Sequence, residues 1–305
     1  MKGIVYKSTG SWYSVKTKQG IEYQCRIKGK LRLDNLKSTN PLAVGDIVEF
    51  DLENNDKSNS GIIDHVCERK NYILRKSVNL SRQTHILAAN IDVLFLVITL
   101  NNPITTTNFI DRFLISSNAY SIDTTLLFNK IDSYSKNQIL EIEKLINIYT
   151  KIGYKCIKIS ATENLNINKI VPLIKNKTIM FGGHSGTGKT SIINCIEPKL
   201  DLKTANISTQ HLQGKHTTTY AELFDIDHDA RVIDTPGIKG FGIVNFDKNE
   251  IGDFFPEFLT NKNNCKFNNC LHINEPDCYI KKMVDLNKIA LSRYENYKQI
   301  ITSDN

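Results

Sequence analysis

The chain has 305 residues, 40% hydrophobic and 23% charged, with a formal net charge of +7. That length suits two or three domains, each with its own core, and the composition is that of an ordinary soluble globular protein. The longest apolar run, Val93 to Leu100, is too short to cross a bilayer, and the opening MKGIVYKSTGSWYS lacks the apolar stretch of a secretory signal, so a cytoplasmic protein with no membrane partner is expected.

Residues 1–70 read as short strands separated by turn signals: GIVYKSTGSWYSVKT, GIEYQCRIKGKLR, GDIVEFDL and GIIDHVCER. Five or so strands in about seventy residues, with no helical period, suit a small barrel of OB type. Residues 1–40 carry nine Lys/Arg against Glu22 and Asp34, interleaved with Tyr6, Trp12, Tyr13 and Tyr23. A basic, aromatic module points to a polyanion partner, although a solvated barrel face would carry the same charge. Beyond residue 90 the pattern changes to short, β-branched apolar runs, IDVLFLVITL, TTLLFNKID, YKCIKISA, NKTIMFGG and ARVIDTPG, the mark of strands buried on both faces. Helical spacing at 107–118 and 135–151 alternates with them and predicts a parallel α/β sheet with ligands at the strands' C-terminal ends. After about residue 243 the strands stop. A Cys/His knot there leads into one predicted helix at 279–301. Cys25, Cys67, Cys156 and Cys195 sit mostly in apolar patterns and read as reduced core cysteines.

The run GHSGTGKT, Gly183 to Thr190, fits G-x-x-x-x-G-K-[ST] between a strand (KTIMF) and a helix (TSIINCIE). Gly183, His184, Ser185, Gly186, Thr187 and Gly188 would wrap phosphates with backbone N–H groups, helped by the helix dipole continuing through Ser191. Lys189 would reach the β- and γ-phosphates, and the Thr190 hydroxyl would ligate Mg²⁺. The turn DTPG follows the strand ARVI: Asp234 would hold Mg²⁺ directly or through water, and the Gly237 N–H would meet the γ-phosphate. Between them lies GKHTTT, whose threonines at 217–219 offer a further Mg²⁺ ligand; Thr218 is favoured over its neighbours.

The P-loop is silent about which base is bound; NKID at 129–132 is not. Asp132 would accept hydrogen bonds from guanine N1–H and N2–H₂, which adenine lacks, so an adenine nucleotide would leave the carboxylate unpaired at a cost of about 1–3 kcal/mol or more. Asn129 and Lys130 would support the loop and pack on the base, and Ser160 and Ala161 fit the last guanine-side loop, where a backbone N–H meets the base oxygen. These GTP/GDP-binding elements run base, base, phosphate, switch I, switch II, because NKID precedes the P-loop by some fifty residues. A sheet tolerates that order if the usual ends are joined and the chain is cut elsewhere. The cut sends switch II (DTPGIKGFG) directly into the C-terminal module, a route by which nucleotide state could reach the cysteine knot. There, Cys265, Cys270, His272 and Cys278 form Cys-x₄-Cys-x-His-x₅-Cys, three thiolates and an imidazole with no spare position, the donor set of one structural Zn²⁺.

Taken together, the VGDIVEF barrel, ILAANID, NKID, GHSGTGKTS, GKHTTT, DTPG and the cysteine knot resemble the RsgA (YjeQ/YloQ) family of circularly permuted small-ribosomal-subunit GTPases, across the whole chain. The resemblance implies an OB-fold barrel over 1–71, a permuted P-loop GTPase domain over 72–242 and an α-helical zinc-binding domain over 243–305. It also implies GTP hydrolysis stimulated by the small ribosomal subunit, with the subunit and its rRNA as partners and a role in late subunit maturation; a monomer is expected. The family lacks the glutamine that many GTPases place after DxxG; Ile238 stands there, and the family's switch I histidine maps onto His216 as the catalytic candidate. Thr187 and Thr190 replace the Val and Ser frequent in the family, and IKGFG is less charged than its usual segment. An RNA-binding protein with a non-hydrolysing guanine-nucleotide switch is the alternative reading, opposed by the intact Lys189, Thr190 and Asp234.

Overall fold

The computed structural model describes residues 1–29, 41–53, 59–76, 84–202, 221–234 and 246–303. Five strands, β1 (Lys2–Ser8), β2 (Tyr13–Thr17), β3 (Glu22–Ile27), β4 (Ile47–Leu52) and β5 (Ser60–Val66), pair in the order β1-β2-β3-β5-β4 and close through β4–β1. Alternation drives the closure: Val5, Val15, Cys25, Val48, Phe50 and Ile63 form a buried cluster, while alternate residues such as Gln24, Arg26, Glu49 and Asp64 are exposed. The small barrel is therefore the one the sequence predicts. A hairpin follows, β6 (Tyr72–Lys76) with β7 (Thr84–Ala89), which the sequence reading left out because charged and polar residues dilute its alternation.

The next strands are β8 (Val93–Ile98), β9 (Asp123–Phe128), β10 (Lys155–Lys158), β11 (Thr178–Gly182), β12 (Glu222–Ile226) and β13 (Ala230–Asp234). Their order is β10-β9-β8-β11-β13-β12, parallel except for β12, which forms an antiparallel hairpin with β13. The sequence reading missed β12, so the sheet is mixed at this edge. Numbered from β11 as strand one and wrapped around to β8, the order becomes 6-5-4-1-3-2, a doubly wound sheet entered in mid-circuit. β8 is buried along its whole length. Leu94, Leu96 and Ile98 join one core with α1 (Thr107–Ala119) and α2 (Lys136–Lys151), whereas Val93, Phe95 and Val97 join the other with α3 (Val171–Ile174) and α4 (Lys189–Ile196). Both long helices begin where their caps dictate. The Thr106 hydroxyl accepts the Phe109 N–H, and Ser135 with Gln138 forms a reciprocal capping box.

The C-terminal part contains α5 (Lys248–Ile251), α6 (Pro256–Leu259), α7 (Tyr279–Asp285) and α8 (Leu291–Thr302). The single helix expected over 279–301 is thus two. Asn287 takes a left-handed conformation, φ +54°, and the N–H groups of Lys288 and Ile289 fold back onto the Met283 carbonyl, closing α7. Of the four cysteines read as core residues, only Cys25 is fully buried; Cys67, Cys156 and Cys195 are half-buried.

Three joints hold the parts together. VGDIVEF and ILAANID meet in the first: Ala89 donates its N–H to the Val44 carbonyl (2.9 Å) and Asn90 Nδ2 donates to the Gly45 carbonyl (2.9 Å). A Cβ on Gly45 would lie 2.2 Å from the Ala89 oxygen, at φ +90°, so no other residue fits. Asp46, fully buried beneath, accepts both ends of the Arg69 fork (2.6 and 2.7 Å). In the second, β1 lies antiparallel to β12 and makes one continuous sheet of barrel and nucleotide domain.

The third joint is a buried charge cluster between α1, α6 and α8. Arg293 reaches Asp111 and Glu257, Asn296 donates to Asp111 (2.6 Å), and the Tyr149 hydroxyl donates to the other Asp111 oxygen (2.8 Å). Burial opposes the Arg293 charge, but the two carboxylates outweigh it and raise its pKa above the ordinary value. Removing one member strands the others in low dielectric. Arg293→Met should therefore cost about 3–5 kcal/mol, and Asn296→Ala, which removes a neutral donor, about 1–3 kcal/mol. Urea unfolding of the two variants beside the parent checks both the loss and its ranking.

Candidate functional site

The loops that follow β8, β9, β10, β11 and β13 all leave the same edge of the sheet, because those strands are parallel neighbours. The P-loop is shaped by glycines at φ +132° (Gly183), +85° (Gly186) and +97° (Gly188). Close approach also demands them: a Cβ on Gly183 would stand 2.6 Å from the Val97 carbonyl, and one on Gly188 2.4 Å from Asn129 Nδ2. α4 then starts at Lys189 with no side-chain cap at Gly188, so its first N–H groups face a prospective phosphate. Ser185 and Gly186 are exposed, whereas Thr190 and Ser191 are half-buried in the first turn. Thr187, fully buried, donates its hydroxyl to the His184 carbonyl (2.9 Å) and fastens the loop internally. The His184 ring lies on Phe109, with centroids 4.0 Å apart, and burial together with Lys189 pushes its pKa down.

Lys189 folds back over the loop, donating to the carbonyls of Gly183 (2.9 Å) and His184 (2.7 Å). Burial lowers its pKa to about 8, with Asp234, the last residue of β13, pulling the other way. The expected phosphate lysine and Mg²⁺-site carboxylate therefore sense one another across the strand ends. Gly237, His216 and Thr218 lie outside the described residues.

The base side is assembled on Asn129. Its side chain is buried; Nδ2 donates to the Thr187 carbonyl (2.8 Å) and Oδ1 accepts the Ala161 N–H (3.2 Å). One amide thus ties NKID to the P-loop and to the Ser160–Ala161 loop. In the loop expected to offer a backbone N–H to the base oxygen, the Ala161 N–H is donated to Asn129. On its other side the Ala161 carbonyl accepts the Cys195 thiol of α4 (3.2 Å). Ser160, fully buried, accepts the Glu163 N–H (3.1 Å). Lys130, left-handed at φ +66°, donates to the Asn102 carbonyl (2.6 Å), and burial lowers its pKa. Asp132 follows in an exposed 3-10 turn, Ile131–Ser133, with its carboxylate at the protein surface. Sequence reading did not foresee Asn102 or Phe109, since neither belongs to a motif; only their place after β8 brings them here.

In the C-terminal part the side-chain donor atoms of Cys265, Cys270, His272 and Cys278 all lie within 4.8 Å of one another. His272 Nδ1 stands 3.6 Å from Cys265 Sγ and 3.4 Å from Cys278 Sγ, and the two sulfurs are 4.0 Å apart. A tetrahedral metal with bonds of about 2.3 Å to sulfur and ~2.0 Å to nitrogen requires S···S near ~3.8 Å and S···N near ~3.5 Å. The four residues fit a tetrahedral cation. Burial, with its neighbouring thiols, raises the Cys270 pKa to about 12, and burial raises that of Cys278, so a cation is what would make thiolates stable there. The knuckle is held from outside. Glu275 accepts the N–H groups of Leu271 and Ile273 (2.8 and 2.9 Å), while the hydroxyls of Tyr297 and Tyr294 on α8 donate to the carbonyls of Leu271 and His272 (2.7 and 2.8 Å).

Family comparison agrees with this geometry. The RsgA GTPase family model matches residues 66–244 and the RsgA N-terminal domain model residues 2–63. The small ribosomal subunit biogenesis GTPase RsgA of Christiangramia forsetii is 57% identical over 304 residues, covering 100% of this chain and 96% of that protein; its counterpart from Flavobacterium psychrophilum is 55% identical, covering 100% and 93%. Among solved structures, YjeQ from Thermotoga maritima superposes with a TM-score of 0.80 at 32% identity, over 98% of this chain and 96% of that one. YloQ, described as a circularly permuted GTPase, gives 0.74 at 28% identity, over 99% and 93%.

The depressed Lys189 pKa has a measurable consequence. In the nucleotide-free protein the amine loses its proton near pH 8 instead of near its ordinary 10.5, and phosphate charge brought against it raises the pKa again. Above pH 8, nucleotide binding should therefore take up a proton, and affinity should fall as pH rises, by up to about tenfold per unit. Calorimetry at pH 9 in buffers of different ionisation enthalpy should show close to one proton taken up, and Lys189→Arg should abolish the uptake.

Proposed function

The chain belongs to the RsgA GTPase family, and from that premise we propose that its GTPase is switched on by the small ribosomal subunit during late subunit maturation. It is a GTP hydrolase of the circularly permuted P-loop class. The observation that carries the guanine reading is Asn129, whose one amide fixes NKID, the P-loop and the Ser160–Ala161 loop in register at the strand ends. On this reading Gly183–Ser191 hold the phosphates, with Lys189 on the β- and γ-phosphates. Asp132 reads guanine N1–H and N2–H₂, and Asn129, Lys130, Ser160 and Ala161 shape the base pocket. Thr190 and Asp234, joined by Thr218, hold Mg²⁺, which neutralises charge on the transferred phosphoryl group. Gly237 supplies an N–H to the γ-phosphate, and His216 orients the attacking water in place of the absent glutamine. The parts divide at 71/72 and 242/243, and the protein acts as a cytoplasmic monomer on the subunit's RNA. No helix among the described residues is long and apolar enough to cross a membrane.

Two experiments test this. Phosphate release from GTP and from ATP, with and without purified small subunits, should show strong stimulation for GTP alone. Asp132→Ala should abolish it, and His216→Ala should lower turnover by roughly 10²-fold, the low end of what a group acting on the proton of the attacking water contributes, as befits one that only orients it. If subunits leave GTP turnover unchanged while GTP still binds, the ribosomal assignment is wrong.

The cysteine knot takes Zn²⁺ as a structural ion, supported by the tetrahedral spacing of its three sulfurs and one nitrogen. Elemental analysis should find one zinc per chain. Cys270→Ser should lower zinc occupancy and loosen hydrogen-exchange protection in α7 and α8, while GDP binding persists.

A further inference from the structure

The joint between β1 and β12 is built differently from the other two. A bulge in β1, where the register shifts between Val5 and Lys7, leaves Tyr6 out of the ladder with β2. Its hydroxyl crosses to the nucleotide domain and donates to Asp225 (2.5 Å). Lys16 of β2 pairs with the other oxygen of Asp225, and Lys7 pairs with Glu222 at 3.3 Å. Both acids belong to β12, and the backbone register pairs Lys7 with Glu222 alone. These groups line an open groove of about 450 Å³ together with Trp12, Gln24 and a third carboxylate, Glu22, which accepts hydrogen bonds from Ser14 (2.5 Å) and Gln24 (3.4 Å). Arg26, over the Trp12 ring at 5.1 Å from its centroid, is not part of the groove lining.

The position of β12 gives this seam its interest. In sequence it stands between GKHTTT at 214–219 and DTPG at 234–237, and it is tied to β13, whose last residue is Asp234. Two barrel cations, Lys7 and Lys16, are therefore neutralised by carboxylates on the strand that joins the two switch motifs. The pairs are exposed, with side-chain accessibilities of 45% and 31% for Lys7 and Glu222 and 30% and 47% for Lys16 and Asp225. Such pairs are weak and yield readily to a competing anion. Asp225 has an alternative cation at hand, because Arg231 stands directly opposite it on β13. The contrast is with Arg69–Asp46 and Arg293–Asp111, whose charges are buried and closed to ligands.

We propose that the β1–β12 seam is a phosphate-responsive joint: a nucleic-acid phosphate entering the groove takes Lys7 and Lys16 from Glu222 and Asp225, and this exchange couples barrel ligation to the nucleotide site. The proposal rests on the RNA-partner reading above. Coupling is reciprocal, so nucleotide must change the affinity of the barrel for the strand by the same factor.

The test uses the full chain with Glu222→Gln and Asp225→Asn combined, substitutions that keep the shape of β12 and every barrel cation. Dissociation of a fluorescent GDP analogue is followed with and without a single-stranded oligouridylate, whose binding is read separately by anisotropy. In the parent, the oligonucleotide should change the dissociation rate by roughly two- to tenfold, the range two exposed ion pairs can supply. The double variant should show the shifted rate without RNA, no further response to it, and RNA binding equal to or tighter than the parent's. Circular dichroism establishes that the variant folds. If both proteins bind RNA and respond equally, the joint is refuted while the RNA reading stands. If the parent does not bind the oligonucleotide or the small subunit, the RNA reading and the proposal fall together.

Discussion

The nucleotide site hangs on one buried amide. Asn129 has no aqueous alternative for its donor or its acceptor, so both must be met inside the protein, and they are met by Thr187 and Ala161. Those partners lie 58 and 32 residues further along the chain. The contact forms because β9, β10 and β11 end at one edge of the sheet, and it then holds three loops at a fixed separation. Gly188 follows from the same constraint: any Cβ would collide with the Asn129 amide, so the phosphate loop can pass close to the base loop only at a glycine.

This dependence on strand adjacency explains how the chain tolerates being re-cut. The sheet needs β8 between β9 and β11, and it is indifferent to which of them is made first. The new ends must instead be secured, and each is secured at its root. At the front, Gly45, Asp46 and Asn90 lock the barrel onto the entry to β8; at the back, Arg293 plugs the C-terminal helices into α1 through Asp111. Buried ion pairs give little net stability compared with apolar packing, but they punish misplacement severely. They set where the flanking modules sit, while apolar packing supplies the adhesion: Val44, Ile4 and Tyr6 of the barrel join the cluster of Leu94 and Leu96, and the C-terminal helices pack on Ile115 of α1.

What could be read in the sequence was whatever leaves a local mark. The P-loop, NKID and the cysteine knot are written in contiguous residues whose chemistry dictates their spacing, and the doubly buried strands betray themselves by β-branched runs. The split of the last helix was also marked, by Asn287, but an asparagine inside an otherwise helical pattern is easily passed over. β12 escaped because its acids break the alternation: Glu222 and Asp225 lie three apart, on opposite faces of the strand, and each is engaged by a barrel lysine. Those two acids look like ordinary surface charges until the barrel is placed against them. Phe109, Asn102 and Glu275 were illegible for a related reason, since each acts through a partner that only the fold supplies.

The two modules flanking the nucleotide domain are thus attached by different physics, and the difference bears on which of them can report a ligand. A buried fork such as Arg293 to Asp111 and Glu257 cannot be opened by an anion from solution without stranding charge in low dielectric, so that junction behaves as part of one rigid body. An exposed pair such as Lys16 to Asp225 loses almost nothing when water or phosphate replaces one partner. The barrel is accordingly held twice, once by buried contacts at Gly45 and Asp46 and once along β12, where a short backbone pairing is flanked by exposed ion pairs. A body fixed at one point and loosely engaged at another can pivot about the firm contact by small amounts. Here the light contact falls on β12, whose Glu222 stands directly opposite Asp234 on β13, so a displacement of one strand is passed to the other.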